Sequence, residues 1–215
     1  MTFQEFRVLV RKGEGQHIEF KRKIAHPEKV IREVIAFANT NGGHILIGVD
    51  DNGTIPGVKF ADEEVYVLDK AIEQFCKPAI SYQKEIVAIN EKRSVIDYEI
   101  FEADKKPVYL LDPTDNRKRK TYIRVNDQSI QASKEMREIL RRKEKTNGIK
   151  FNYGEKEKLL MSLLDSQRTI TIKKFAYQAG ISNYKASRTL VLLVLANVLN
   201  IEPCENEDEF TLAAP

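Results

Sequence analysis

The fold is decided around residues 13–21, which read Gly-Glu-Gly-Gln-His-Ile-Glu-Phe-Lys. The last five of these residues alternate between polar and apolar, which is typical of a half-buried β-strand. We therefore expect Ile18 and Phe20 on the buried face of a strand. Glu19 and Lys21 should point together to the exposed face.

Helical spacing flanks this strand on both sides. Between Thr2 and Lys12 the apolar residues recur at helical intervals, and the glycines that follow break the pattern. Pro27 begins a second helix with an apolar stripe, which residues 40–43, Thr-Asn-Gly-Gly, bring to an end. The first strand should therefore lie between two helices.

The next part of the chain predicts a sheet with one more helix. A hairpin should join residues 44–50 to 54–58 across Asp51-Asn52-Gly53, because glycine suits the positive φ of short turns. Residues 63–75 have helical periodicity. Later strands are expected at residues 81–88, 94–101, 108–111 and 121–125. The fold class is thus α+β, with a mixed, largely antiparallel sheet and flanking helices.

The last part of the chain has the pattern of a helix-turn-helix. Thr171 can cap one helix, residues 180–182 form a turn, and Ser182 can cap a second helix over residues 183–197. Two short strands, 198–202 and 209–212, would complete a small winged-helix domain. This pattern resembles many microbial winged helices.

The domain boundary is expected near residue 148. Ser133 can cap a helix that ends in Arg141-Arg142-Lys143, and Thr146-Asn147-Gly148 then makes a plausible junction. We therefore assign residues 1–148 to the α+β domain and residues 149–215 to the winged helix.

Composition limits the classes of function. The net charge of +3 is mild, and the positive excess lies in residues 1–150, notably at residues 117–120 and 137–150. Cys76 and Cys204 have no metal-ligand spacing. No segment has the roughly 18 apolar residues of a membrane span, so we expect a cytoplasmic protein that does not bind membranes.

Four segments in order carry a family resemblance: residues 13–21, 37–43 (Phe-Ala-Asn-Thr-Asn-Gly-Gly), 48–51 (Gly-Val-Asp-Asp) and 122–125 (Tyr-Ile-Arg-Val). Together they resemble the Schlafen AlbA-like domain over roughly residues 10–135. That resemblance implies one of two activities. Members are known as DNA-binding domains of microbial transcriptional regulators and, in animal Schlafen proteins, as metal-dependent RNA-cleaving domains.

The interpretation of the protein as a nuclease depends on an acidic cluster. Cutting a phosphodiester needs a divalent ion such as Mg²⁺ or Mn²⁺, which clustered carboxylates bind. Glu14, Glu19 and either Asp50 or Asp51 match the acidic positions of the nuclease-active Schlafens, and Lys21 would stand beside them. The alternative is a purely structural role, in which Glu19 and Lys21 form a surface ion pair and Asp50 and Asp51 begin a turn.

The interpretation of the protein as DNA-binding depends on basic and polar side chains. Arg124 is a phosphate candidate because of its forked donors, and Arg188 is the first choice on the recognition helix. The candidate nucleic-acid-binding residues are Arg117, Lys118, Arg119, Lys120, Arg124, Asn183, Tyr184, Lys185, Ser187 and Arg188. Against this reading stands the acidic run at residues 205–209, which phosphate would repel if the wing approached the backbone.

Three functions therefore remain open. The leading one is a transcription regulator that binds duplex DNA, with no cofactor and with a homodimer as a common form. The second is a nuclease that uses Mg²⁺ or Mn²⁺ to cut RNA or single-stranded DNA. The third is an assembly module that is not an enzyme and binds no nucleic acid.

Overall fold

A computed structural model of the protein describes residues 1–112, 115, 119–143, 153–204 and 206–213. Contacts divide the chain into two compact units, Met1–Gln131 and Ala132–Pro215. Both units mix helices and strands, so the α+β class is confirmed. Among the helices of the described ranges, none combines the length and the apolar character needed to cross a membrane.

The first unit follows the predicted order of elements except for the strand expected at residues 54–58. The Thr2 side chain accepts a hydrogen bond from Glu5 N, so the first helix begins with a capping box. The described elements are α1 (Phe3–Arg11), β1 (Ile18–Lys21), α2 (Pro27–Asn39), β2 (Gly43–Ile47), α3 (Ala61–Phe75), β3 (Cys76–Lys77), β4 (Tyr82–Asn90), β5 (Arg93–Ile100), β6 (Tyr109–Leu111), β7 (Arg119–Lys120), β8 (Tyr122–Val125) and β9 (Gln128–Gln131).

The main sheet of the first unit has the order β1-β2-β5-β4. β1 and β2 are parallel and joined through α2, whereas the other pairs are antiparallel. Alternate residues of β2 face opposite sides, so Ile45 packs against α2 and α3 while Leu46 packs against α1. The sheet is therefore covered on both faces, and the loops at its edge carry the polar residues discussed below.

The predicted hairpin over residues 44–58 is wrong. β2 ends at Ile47, Gly48 turns the chain with φ +94°, and Asp50 N donates to Thr54 O at 2.9 Å to close a tight loop. Residues 54–58 contribute only an isolated bridge between Val58 and Ser94. They cannot extend the sheet beside β2, because β1 and β5 already occupy both of its edges.

The second unit contains a three-stranded antiparallel sheet and a packed set of helices. Its described elements are α4 (Lys134–Lys143), α5 (Glu155–Gln167), β10 (Thr169–Ile170), α6 (Ile172–Gln178), α7 (Asn183–Leu195), β11 (Leu199–Glu202) and β12 (Glu209–Leu212). The sheet order is β10-β12-β11. Leu164, Phe175, Leu190 and Phe210 are fully or almost fully buried in one core.

α4 belongs to the second unit, so the chain divides earlier than the boundary placed from the sequence at residue 148. Ile139 of α4 packs with Val191 and Leu195 of α7. Ser133 caps α4 as predicted, since its Oγ accepts from Met136 N at 3.0 Å. The linker-like residues 144–152 lie outside the described residues.

Candidate nucleic-acid interface

Two capped helices, α6 and α7, follow one another across a short turn in the second unit. Lys174 N donates to Thr171 Oγ1 and Lys185 N donates to Ser182 Oγ, so both predicted caps are confirmed. Gly180 makes the turn with φ +60°, where a side chain would be strained. The turn fixes how α7 follows α6.

α7 has a buried face and an exposed first turn. Ala186, Leu190 and Leu193 are buried in the core of the unit. The residues that remain exposed on its N-terminal half are Asn183, Tyr184, Lys185 and Arg188. Polar and cationic groups at the start of such a helix are those that reach base edges and phosphates. The structure thus brings four of the predicted residues together on one element.

Ser187 is the exception on α7. It is half-buried, and its hydroxyl donates to Glu135 Oε1 at 2.6 Å. This hydrogen bond directs the side chain toward α4. Ser187 therefore contributes to packing within the unit. Its position on a predicted recognition helix had indicated contact with nucleic acid instead.

The acidic segment after β11 is largely used within the unit. Asp208 is 6% exposed, and its carboxylate accepts from Ser133 Oγ and from Cys204 N. Its pKa is raised, because burial disfavours the charged form. Glu207 pairs with Lys173 at 3.5 Å. Two of the predicted repulsive charges are thus engaged locally, while Glu205 lies outside the described residues.

A buried arginine lies at the centre of the first unit's polar residues. Arg124 on β8 has a fully buried side chain. Its Nη2 donates to Glu19 Oε2 at 2.8 Å and its Nη1 donates to Glu33 Oε2 at 2.9 Å. Nε and Nη2 also donate to Gly15 O at 3.0 and 2.9 Å. The guanidinium is thus fully occupied by protein acceptors.

Two sequence predictions change because of this network. Arg124 does not reach phosphate, since its side chain has no exposed surface and stacks within 5.0 Å of the Phe37 ring. Glu19 was expected on the exposed strand face but is only 8% exposed. Its charge is compensated by Arg124 and by an ion pair with Lys21.

The acidic residues of the nuclease hypothesis lie near this network but do not form one shared ligand site. Glu14 Oε1 accepts from Phe20 N at 2.9 Å. Burial raises the pKa of Glu14, and the charges of Glu19 and Asp51 add to the increase. Asp50 accepts from Thr54 Oγ1 and pairs with Arg22 at 3.5 Å. These carboxylates are therefore near neighbours with separate partners.

The donors as arranged do not fit a divalent ion. Within the described ranges, no group of three or more His, Cys, Asp or Glu side chains is placed to hold a metal. Glu19 already binds two cations, and a metal would have to displace Lys21 or Arg124 from its carboxylate. No catalytic step through a metal follows from this arrangement.

The basic run at residues 117–120 is only partly described. Arg117 and Lys118 lie outside the described residues. Arg119 and Lys120 form β7 and are exposed, with the Arg119 guanidinium 5.9 Å from the centre of the Tyr109 ring. The two described cations are therefore available on the surface of the first unit.

The family model named Schlafen, AlbA_2 matches residues 14–133, which is more than half of the chain. The chain belongs to the Schlafen, AlbA_2 family. The match spans β1 through β9 and ends at Ser133, the residue that caps α4. Membership of this family suggests a nucleic-acid-binding role.

Two solved structures are similar to part of the chain. One is the N-terminal domain of a protein named as ATP-dependent DNA helicase RecG-related, from Nitrosomonas europaea. It is 24% identical with a TM-score of 0.44, and the match covers 53% of this chain and 82% of that one. The other, from Corynebacterium diphtheriae, is 21% identical with a TM-score of 0.43, and the match covers 59% of this chain and 24% of that one.

Several polar residues of the AlbA_2 domain were missed from the sequence. Asn39 is buried, and its side chain donates to Val108 O and Tyr122 O while accepting from Val108 N. His44 Nδ1 lies 3.0 Å from Asp97 Oδ1, across the β2–β5 pair. Local sequence patterns could not reveal these contacts, because the partners are distant in sequence.

His44 predicts a pH dependence of stability. The hydrogen bond to Asp97 raises the pKa of His44, so the folded domain favours the protonated imidazole. This contribution is fully present below the unfolded pKa of about 6.5 and is lost as the pH rises through the raised folded value. We expect thermal unfolding, followed by circular dichroism, to show the AlbA_2 domain losing stability over that range. The His44→Gln variant should lack this component, and an unchanged pH profile in the variant would contradict the assignment.

Proposed function

We propose that the protein is a DNA-binding transcription regulator whose second unit is a winged helix that reads duplex DNA. The observation that carries this proposal is the exposed first turn of α7, with Asn183, Tyr184, Lys185 and Arg188 on a helix whose other face is anchored in the core. Family membership supports a nucleic-acid ligand in general.

The order of elements supports the winged-helix interpretation. α5, β10, α6, α7, β11 and β12 follow one another, and β10 pairs with β12 beside β11. A helix about 10–12 Å across fits the major groove, which is about 12 Å wide. The capped N-terminus of α7 is then the part that would meet base edges.

The electrostatics of the unit also support the proposal. Lys174 on α6 and Lys185 and Arg188 on α7 add positive charge to the two helices, whereas Lys173 and Glu207 pair and offset each other. The segment after β11 adds less negative charge than its composition indicates, because Asp208 is buried and Glu207 is paired. Phosphates can therefore approach the helix-turn-helix without meeting that segment's full charge.

We expect the Lys185→Ala, Arg188→Ala double variant to weaken binding to duplex DNA. A side chain bound to a base edge contributes about 1–3 kcal/mol, so the affinity should fall by about tenfold or more. Fluorescence anisotropy of a labelled duplex measures the loss at several salt concentrations. The matched control is Lys156→Ala, Lys158→Ala on α5, which removes two exposed cations from the same unit.

Two outcomes would contradict parts of this proposal. If the double variant and the control bind duplex DNA with equal affinity and equal salt dependence, α7 is not the helix that contacts the bases. No salt-sensitive binding of any duplex by the full chain would exclude the regulator and would favour the assembly module.

A metal-dependent nuclease is the second candidate, and it requires the carboxylates to exchange their present partners for an ion. One observation favours it: the charges of Glu19, Lys21 and Asp51 all act on Glu14. The test incubates labelled RNA, single-stranded DNA and duplex DNA with the protein in Mg²⁺, Mn²⁺ or EDTA. Asp51→Asn is the cleaner variant, since Asp51 is exposed while Glu19→Gln would also disturb the Arg124 network. Metal-dependent cleavage that Asp51→Asn abolishes would establish the enzyme.

A further inference from the structure

α4 is joined to the helix-turn-helix unit by three kinds of contact. At its start, the capping hydroxyl of Ser133 donates to Asp208 in the segment between β11 and β12. Two residues later Glu135 accepts from Ser187 at 2.6 Å. Further along, Ile139 packs with Val191 and Leu195 of α7. The helix is therefore a fixed part of the unit.

These contacts also define the direction of α4. Glu135 meets Ser187, and the residue four further on, Ile139, meets Val191, which is four residues after Ser187. The two helices thus run side by side in the same direction. Packed helices lie about 8–10 Å apart, and the major groove is about 12 Å wide. A groove of that width holds one helix, so α4 stays outside the groove, beside α7, when α7 enters it.

The outward surface of α4 is chemically suited to phosphate. Lys134, Arg137 and Arg141 recur at intervals of three and four residues, so they share one face of the helix. Lys134 and Arg141 are exposed, whereas Arg137 is half-buried and its Nε donates to Ser133 O at 3.2 Å. That face lies opposite Ile139, which packs on α7. The acidic residues of α4 are engaged elsewhere, with Glu135 bound to Ser187 and Glu138 paired with Arg142 at 3.1 Å.

We propose that α4 binds the phosphate backbone of duplex DNA through Lys134, Arg137 and Arg141, beside the groove that α7 reads. This inference rests on the proposed function and extends the interface to a helix outside the helix-turn-helix. The contacts are independent of sequence, because phosphates carry no base information. They set the affinity and the orientation of the unit on the duplex.

The salt dependence of binding tests this inference. Each phosphate contact contributes about 0.9 to the slope of log affinity against log salt, so Lys134→Ala, Arg141→Ala should make the slope shallower by about 2. The affinity should fall by a similar factor for specific and unrelated duplexes. Anisotropy titrations of the full chain measure both quantities, with Lys156→Ala, Lys158→Ala as the control that removes the same charge.

The results separate the two proposals. In one outcome, the Lys134→Ala, Arg141→Ala variant keeps the same slope as the control variant while Lys185→Ala, Arg188→Ala still weakens binding. That result overturns the role of α4 and leaves the proposed regulator function intact. Loss of duplex binding in every form of the protein, the unmodified chain included, overturns both. The reversed-charge variant Arg141→Glu gives a second reading, because it should weaken binding more than Arg141→Ala does. Circular dichroism confirms that each variant folds.

Discussion

Arg124→Met is expected to lower the free energy of unfolding of the first unit by about 3–5 kcal/mol, the range for breaking a buried ion pair by removing one partner. Methionine fills similar space but leaves the partly buried carboxylate of Glu33 without its cation and leaves the buried Glu19 with Lys21 alone. It also leaves Gly15 O without its two donors. Urea unfolding followed by circular dichroism measures the loss.

The pH dependence of this loss identifies its cause. Burial already raises the pKa of Glu33, so the folded unit tolerates its protonated form. Protonation relieves the uncompensated charge in the variant, and the deficit should therefore shrink as the pH falls and grow as it rises. Arg22→Met is the control, since Arg22 is exposed and its pair with Asp50 is weak. Equal effects of the two substitutions would refute the network as a stabilising element.

Gly42→Ala is expected to destabilise the first unit by about 2–5 kcal/mol, the sum of a left-handed backbone cost and an overpacking cost. Gly42 has φ +71°, and an added Cβ would lie 2.7 Å from the backbone oxygen of Ile100. That oxygen belongs to β5 at its pairing with β2, so it cannot move without disturbing the central sheet.

Gly13→Ala separates the two parts of this effect. Gly13 has nearly the same backbone angle, φ +76°, but no atom lies within 4 Å of an added Cβ. It should therefore cost only the backbone part, about 1–2 kcal/mol. Thermal and urea unfolding of both variants provide the comparison. A Gly42 variant no less stable than the Gly13 variant would show that the close approach to Ile100 is unimportant.

Local patterns in the sequence predicted the elements well. Thr171, Ser182 and Ser133 were identified as caps because a cap depends on residues within one turn of the chain. The strand at β1 and the helix at α2 followed from their periodicity in the same way. The mixed, largely antiparallel sheet was therefore predictable in kind.

Long-range partners were not predictable from those patterns. Glu19 was placed on an exposed face because period-two alternation marks a side of the strand but does not show what covers it. Its partner, Arg124, comes from a strand at the far end of the domain. The sequence placed α4 before the expected boundary, whereas its contacts group it with the second unit, because the buried Ile139 packs with residues that come much later in the chain.

The contact between Arg124 and Gly15 joins two parts of the chain that are far apart in sequence. Arg124 lies on β8, and its guanidinium binds the backbone of the loop that precedes β1. The loop before β1 is therefore held by a strand formed much later in the chain. Displacing β8 would release that loop as well, although no covalent link or shared element connects the two.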